Sequence, residues 1–327
     1  MILIIGPGAV GTILAAHLRA AGQPVRLLVR ERSLAAYQAA TEMRLERVGR
    51  TPLTAPKPEL VTEADLNGVK LVLVCVKFHD LDTALSLLPN PLPAGVTLIS
   101  TLNGIRALQR IRHLRPFERA IALSIMFNGQ WLAPLQARLT TQAQIVLGSH
   151  DPEIAACLRG SMKLTFADGE SAVWGKLLIN LANAICALTH STFKDLLSDP
   201  DLRAIYVAVL DEAVALIEKA GIPYQLPMPM PYRLYRKILR YGGPLPWWFA
   251  KIRNGLQEGA YPSMVADIEA GRQTEVAQLN GEITALAHKL HAAAPIAAKI
   301  VSLVQDCEGR TPPQVLAPTA LRSQLLV

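Results

Sequence analysis

The chain has 327 residues, of which 51% are hydrophobic and 18% charged, and a formal net charge of +7. That length favours two domains, and the apolar share leaves ample material for real cores. The positive balance suits an anionic cofactor and substrate more simply than nucleic acid. The four cysteines, Cys75, Cys157, Cys186 and Cys307, form no C-x-x-C, which excludes zinc and redox-pair readings. Reduced thiols suit a cytoplasmic location.

Met1 to Ile5 is a short, uncharged apolar run, fit for a buried strand. Gly6, Gly8 and Gly11 follow in the spacing G-x-G-x-x-G, with a helix expected over Ile13 to Ala21 and a second strand over Val25 to Val29. This is the strand–turn–helix–strand unit that binds a dinucleotide. Gly6 permits the tight turn, Gly8 lets the backbone approach a pyrophosphate, and Gly11 lets the helix pack close to the strand. The cofactor-binding residues expected here are Gly6, Pro7, Gly8, Ala9, Val10 and Gly11. The glycines already have this use and no basic region precedes them, so the apolar start is not read as a signal peptide. At the end of the second strand stands Arg30, followed by Glu31 and Arg32. Arginine matches a 2′-phosphate by charge and by its planar donor fork, which points to NADP(H). Glu31 is the counter-signal, since a shift of one residue puts a carboxylate there instead.

Further buried strands are expected at 71–76 and 96–100 and in parts of 120–126 and 144–148, with a last helix at 150–160. The alternation gives a mostly parallel sheet with helices on both faces. From about residue 170 helical periodicity takes over, at 171–190, 201–220, 264–291 and 293–306, interrupted by Pro- and Gly-rich stretches at 221–231 and 242–246. The fold class is therefore α/β: a Rossmann-type dinucleotide-binding domain over 1–168 and an all-helical substrate domain over 169–327. The tail after Arg310, with Pro312, Pro313 and Pro318, is expected to be irregular. No stretch approaches the ~20 uninterrupted apolar residues of a membrane span. The mix of Arg233, Arg236, Lys237, Arg240, Lys251 and Arg253 with Tyr232, Tyr235, Tyr241, Trp247 and Trp248 reads as an amphipathic surface helix with its aromatics inward. Neither nucleic acid nor a membrane is expected as a partner.

Two polar clusters stand out against apolar surroundings. Lys176, Asn180 and Asn183 are spaced i, i+4 and i+7, so they share one helical face. A buried lysine costs free energy unless something needs it, and burial lowers its pKa toward a usable proton donor. In the stretch 262–281, Ser263 is placed as a helix N-cap, Asp267 follows one turn on, and Arg272 and Glu275 are spaced to pair. The seven histidines are dispersed, and no metal-ligand cluster is expected.

The ordered set resembles the ketopantoate reductase (2-dehydropantoate 2-reductase) family. It comprises GPGAVG at the start, Lys77 after LVLVCV, Asn103-Gly104 after VTLIS, the helix with Lys176 and Asn180, and PSM…D…GR.TE…NG. The resemblance implies a two-domain NADPH-dependent reductase of a 2-oxo acid substrate, as monomer or homodimer. It implies Lys176 as proton donor and Glu275 as its catalytic partner, in contact with substrate and counted also at the cofactor. It implies Ser263, Asn180 and Asn103 at the substrate, with Asn183 the nearest candidate for a further contact. Asn103 and Lys77 then lie beside the cofactor, and Arg30 at the 2′-phosphate. One departure matters: family members carry an asparagine one turn beyond Asn180, where this chain has Ala184, with Asn183 rotated by about 100° from that line. Another branched or aromatic 2-oxo acid is thus the alternative to ketopantoate, with the aromatic and basic segment 225–260 as a possible lining. A non-catalytic NADP(H)-sensing protein is the alternative of another class.

Overall fold

Strand and helix alternate through the first half of the chain in the computed structural model, which describes residues 1–228, 230–254, 258–310 and 313–326. The chain divides into two units. Met1–Leu102 with Arg106–Glu170 forms the first, and Ser171–Val327 forms the second together with Asn103–Ile105.

The first unit holds twelve strands: β1 (Ile2–Ile5), β2 (Val25–Leu28), β3 (Glu42–Arg47), β4 (Arg50–Pro56), β5 (Glu59–Val61), β6 (Leu71–Val74), β7 (Thr97–Ser100), β8 (Ala120–Ile125), β9 (Gly129–Ala133), β10 (Gln136–Leu139), β11 (Gln144–Leu147) and β12 (Lys163–Phe166). Eight form one sheet in the order β12-β11-β8-β7-β6-β1-β2-β5. From β5 to β8 neighbours are parallel, with Ile2 level with both Val25 and Leu71. β11 then runs antiparallel to β8, and β12 is parallel to β11. β1, β6 and β7 are buried along their whole length, as parallel strands covered on both faces must be. One core packs the helix Ala9–Ala20 (Ile13, Leu14, Leu18) against the sheet, and a second packs Leu81, Leu85 and Ile111.

Two features depart from expectation. The helix Pro152–Cys157 does not end this half, since β12 follows it. A second, four-stranded sheet, β4-β3-β10-β9, is also present. Met43 and Leu45 of β3 are buried in the core shared with the helix Ala9–Ala20, while Glu42 and Arg44 face out. That alternation is short and charged, and although β4 follows β3 directly, the other partner, β10, lies about ninety residues further on.

The second unit is helical throughout the described residues. Its longest helix, Pro200–Lys219, starts sharply because Asp199 accepts from the N–H groups of Asp201 and Leu202 and Pro200 needs no partner for a missing N–H. Ser171–Asn180 and Ala182–Thr189 run on through Leu181, whose N–H still bonds Leu177 O at 3.0 Å. Together they are long and apolar enough to cross a membrane, but 83% of that window is buried inside the protein. The single helix expected over 264–291 is instead Ser263–Glu269, a 3-10 turn Val276–Gln278 and Asn280–Lys289, because Gly271 at φ +61° ends the first piece. The tail is not irregular throughout: Pro318 occupies the first helical turn of Pro318–Leu325. Pro312 lies outside the described residues.

The segment 225–260 forms the helices Tyr232–Tyr241 and Leu245–Asn254. Its aromatics do not all face inward. Tyr235 and Trp247 are buried, whereas Tyr241 and Trp248 are exposed. Pro229, residues 255–257 and the side chain of Arg253 lie outside the described residues.

Candidate functional site

Each unit carries one cluster. In the first unit the glycine loop leaves β1 and enters the helix Ala9–Ala20. Gly6 has φ +95°, and a Cβ there would lie 2.7 Å from the Cys75 carbonyl oxygen. A Cβ on Gly11 would collide with the carbonyl oxygen of Gly6, so this glycine sets the helix-to-strand distance. Gly8 differs. A Cβ there would meet no protein atom within 4 Å, so protein packing does not require that glycine. Gly8 caps the helix without a side-chain bond, and the first turn carries no acid. The N–H groups of that turn are therefore open donors at the positive end of a helix dipole. Pro7 is held by its carbonyl, which accepts from Thr12 Oγ1 at 3.3 Å and Tyr37 OH at 3.2 Å.

The neighbouring strands supply the cations. Arg30 follows β2 and is exposed, at the N-cap of the 3-10 turn Glu31–Ser33; Glu31 and Arg32 are exposed as well. Lys77 follows β6 and is exposed at the N-cap of the turn Phe78–Asp80. The glycine loop, Arg30 and Lys77 thus leave the carboxyl ends of the adjacent strands β1, β2 and β6, where open parallel sheets bind ligands. Open donors and space at Gly8 fit the phosphates of a dinucleotide.

In the second unit Lys176 Nζ donates to Asn103 Oδ1 at 2.6 Å, and Asn103 Nδ2 donates to Glu275 Oε2 at 3.1 Å. The amide orientation follows from chemistry, since an ammonium only donates and a carboxylate only accepts. Asn103 therefore bridges the two charges. Burial lowers the Lys176 pKa from 10.5 to about 8, and the Glu275 charge works against that fall. Gly104, at φ +78°, brings the bridge into place: a Cβ there would collide with the carbonyl oxygen of Gln278, in the 3-10 turn that follows Glu275. The result is a lysine that is charged at neutral pH and close to giving up its proton.

The other expected residues do not join these bonds. Asn180 is half-buried, Asn183 is buried and Ser263 is exposed, and none is hydrogen-bonded to Lys176, Asn103 or Glu275. Ser263 is not an N-cap: Pro262 holds that position and Ser263 begins the helix without a capping bond. Arg272 does not pair with Glu275. Its guanidinium takes the carboxylate of Asp267 at 2.9 Å, leaving Glu275 to Asn103. Ala184 is fully buried. Tyr37 and Thr12, which hold the glycine loop, carry no motif signal in the sequence. Among the described residues no group of three or more His, Cys, Asp or Glu is placed to hold a metal.

The family described as "Ketopantoate reductase PanE/ApbA" matches residues 2–152, and "Ketopantoate reductase PanE/ApbA C terminal" matches residues 168–308. The chain is 24% identical over 319 residues to a 2-dehydropantoate 2-reductase of Aquifex aeolicus (strain VF5), covering 94% of this chain and 96% of that one. A crystal structure of a PanE/ApbA family ketopantoate reductase from Ralstonia eutropha JMP134 matches with TM-score 0.76 at 24% identity, covering 94% of this chain and 98% of that one. D-mandelate dehydrogenase in a ternary structure with NADH and anilino(oxo)acetate matches with TM-score 0.73 at 20% identity, covering 94% and 98%. The chain belongs to the ketopantoate reductase family, a family of NAD(P)-dependent oxidoreductases of 2-hydroxy acids.

Proposed function

We propose that this protein reduces a 2-oxo acid to the 2-hydroxy acid with NADPH, and that ketopantoate, giving pantoate, is the first substrate to test. The observation that carries this reading is the Lys176–Asn103–Glu275 chain, with a lysine whose pKa is brought down to about 8. A bound nicotinamide supplies a hydride to the ketone carbon. The charge that then develops on the ketone oxygen needs a proton, and Lys176 Nζ gives it. Asn103 Oδ1 aims the ammonium, and Glu275, through Asn103, keeps it charged until that moment. Asn180 and Ser263 offer neutral hydrogen bonds to the substrate carboxylate or a hydroxyl. In the first unit the loop Gly6–Gly11 takes the pyrophosphate, Arg30 takes the 2′-phosphate and Lys77 lies beside the cofactor. NADPH is favoured over NADH because Arg30 is exposed and Glu31 forms the turn after it.

Ala184 supports a second reading in which the acid is larger or aromatic. It stands where the family places a substrate asparagine, and the likeness to a D-mandelate dehydrogenase is in the same direction. Loss of nicotinamide absorbance with ketopantoate beside a panel of aromatic and branched 2-oxo acids, with NADH as control, separates the two. Preference for ketopantoate removes the second reading. No turnover with any 2-oxo acid removes both.

A further inference from the structure

The carbonyl of Pro7 sits between the first two glycines of the loop, in a residue that has no N–H of its own. Thr12 reaches it from the helix that follows, so that bond ties the loop only to its own helix. Tyr37 reaches it from thirty residues away. Tyr37 is 5% exposed, and its hydroxyl ends on Pro7 rather than in solvent. A buried phenol is costly unless its hydroxyl is bonded, so this contact is specific. The helix that carries it, Leu34–Ala39, continues directly from the turn Glu31–Ser33, and Arg30 is the N-cap of that turn. One side chain therefore ties the segment that presents Arg30 to the loop that presents the open N–H groups.

The second sheet backs the same contact. The indole of Trp131, on β9, lies close enough to the Tyr37 side chain to offset part of the rise that burial gives the phenol's pKa. β9 is pressed against the dinucleotide helix so closely that a Cβ on Gly129 would collide with Cδ1 of Ile13. Tyr37 thus lies beside one sheet while it holds the loop that follows the other.

We propose that Tyr37 is a positioning residue that sets the spacing between the glycine loop and Arg30, and thereby the preference for a nucleotide bearing a 2′-phosphate. This rests on the reading of Arg30 as the 2′-phosphate ligand. Losing the Tyr37 bond lets the Arg30 segment drift relative to the loop. A ligand that engages both ends suffers more than one that engages the loop alone.

The test is calorimetric binding of 2′,5′-ADP and of AMP, which differ only in the 2′-phosphate, to the full chain and its variants, with thermal midpoints recorded alongside. The wild type binds 2′,5′-ADP more tightly, and Arg30→Ala removes that advantage. Tyr37→Phe, which keeps the ring and deletes one hydrogen bond, cuts the ratio of the two affinities by about threefold to tenfold. Thr12→Val, which frees the loop without touching the Arg30 segment, weakens both ligands by the same factor. Trp131→Phe shifts the ratio in the same direction as Tyr37→Phe, and it stands in should Tyr37→Phe fail to fold. An unchanged ratio in Tyr37→Phe, or in Trp131→Phe standing in for it, together with a lost ratio in Arg30→Ala overturns this inference alone. An unchanged ratio in Arg30→Ala overturns the NADPH reading and this inference with it.

Discussion

Replacing Glu275 by Gln tests the electrostatic half of the site without breaking its hydrogen bonds. The amide oxygen of a glutamine can still accept from Asn103 Nδ2, so the bridge to Lys176 survives and only the charge is lost. The two bonds of 2.6 and 3.1 Å and the width of a carboxamide put the charges at most about 8 Å apart, so at an effective dielectric of about 20 their attraction is on the order of 1–2 kcal/mol. The sign is set by the lysine. Glu275 raises its pKa against the fall due to burial, and the reaction needs the protonated form. In the wild type, reductive kcat/KM therefore holds below about pH 8 and falls above it. In Glu275→Gln the limb moves toward acid by about one pH unit. The assay is the initial rate of NADPH oxidation across a pH series, with the acid that the substrate panel identifies. A purely structural role for Glu275 lowers the whole profile and leaves the limb in place. A limb that stays, or that moves toward alkali, refutes the argument.

Lys176→Ala should lower turnover by about 10²–10⁴-fold while the dissociation constant for NADPH, read by fluorescence titration, stays near wild type. A variant that retains turnover removes Lys176 from the mechanism. Gly8→Ala and Gly11→Ala should separate binding from folding. The first leaves the thermal midpoint near wild type and weakens NADPH binding, because its methyl group enters only ligand space. The second costs about 1–3 kcal/mol in stability, because its methyl group meets the Gly6 carbonyl. His17 gives a pH dependence of folding. Burial first, and the charge of Arg47 second, lower its pKa from 6.5 to about 4. Between those values the unfolded chain binds the proton and the folded one does not. Stability is therefore full above about pH 6.5 and declines as pH falls toward about 4, by on the order of 3 kcal/mol in total. Urea titrations of wild type and His17→Gln over that range check it, and equal slopes with pH would remove the claim.

Several features of this protein were legible without coordinates, and they share a physical cause. Gly6, Gly8 and Gly11 act through backbone geometry within one turn, so their spacing alone carries the loop. The uncharged runs of β1, β6 and β7 announce strands buried on both faces. The apolar helix 171–189, interrupted by Lys176, announces a lysine with a cost to explain. All of these depend on residues within one or two turns of each other.

Tertiary structure decided the rest, because the deciding contacts join distant segments. The family resemblance makes Glu275 the partner of Lys176, yet it is Asn103 that bridges them, from 73 and 172 residues away. Arg272 is spaced to pair with Glu275, yet a glycine turn carries it back to Asp267. β3 and β10 become parallel neighbours across most of the first unit, and no local periodicity records that pairing. Tyr37 shows no motif at all, since its role is a single hydroxyl on the carbonyl of Pro7. Periodicity and spacing specify which face a residue takes and which loop it sits in. Which partner it then meets is a property of the folded chain.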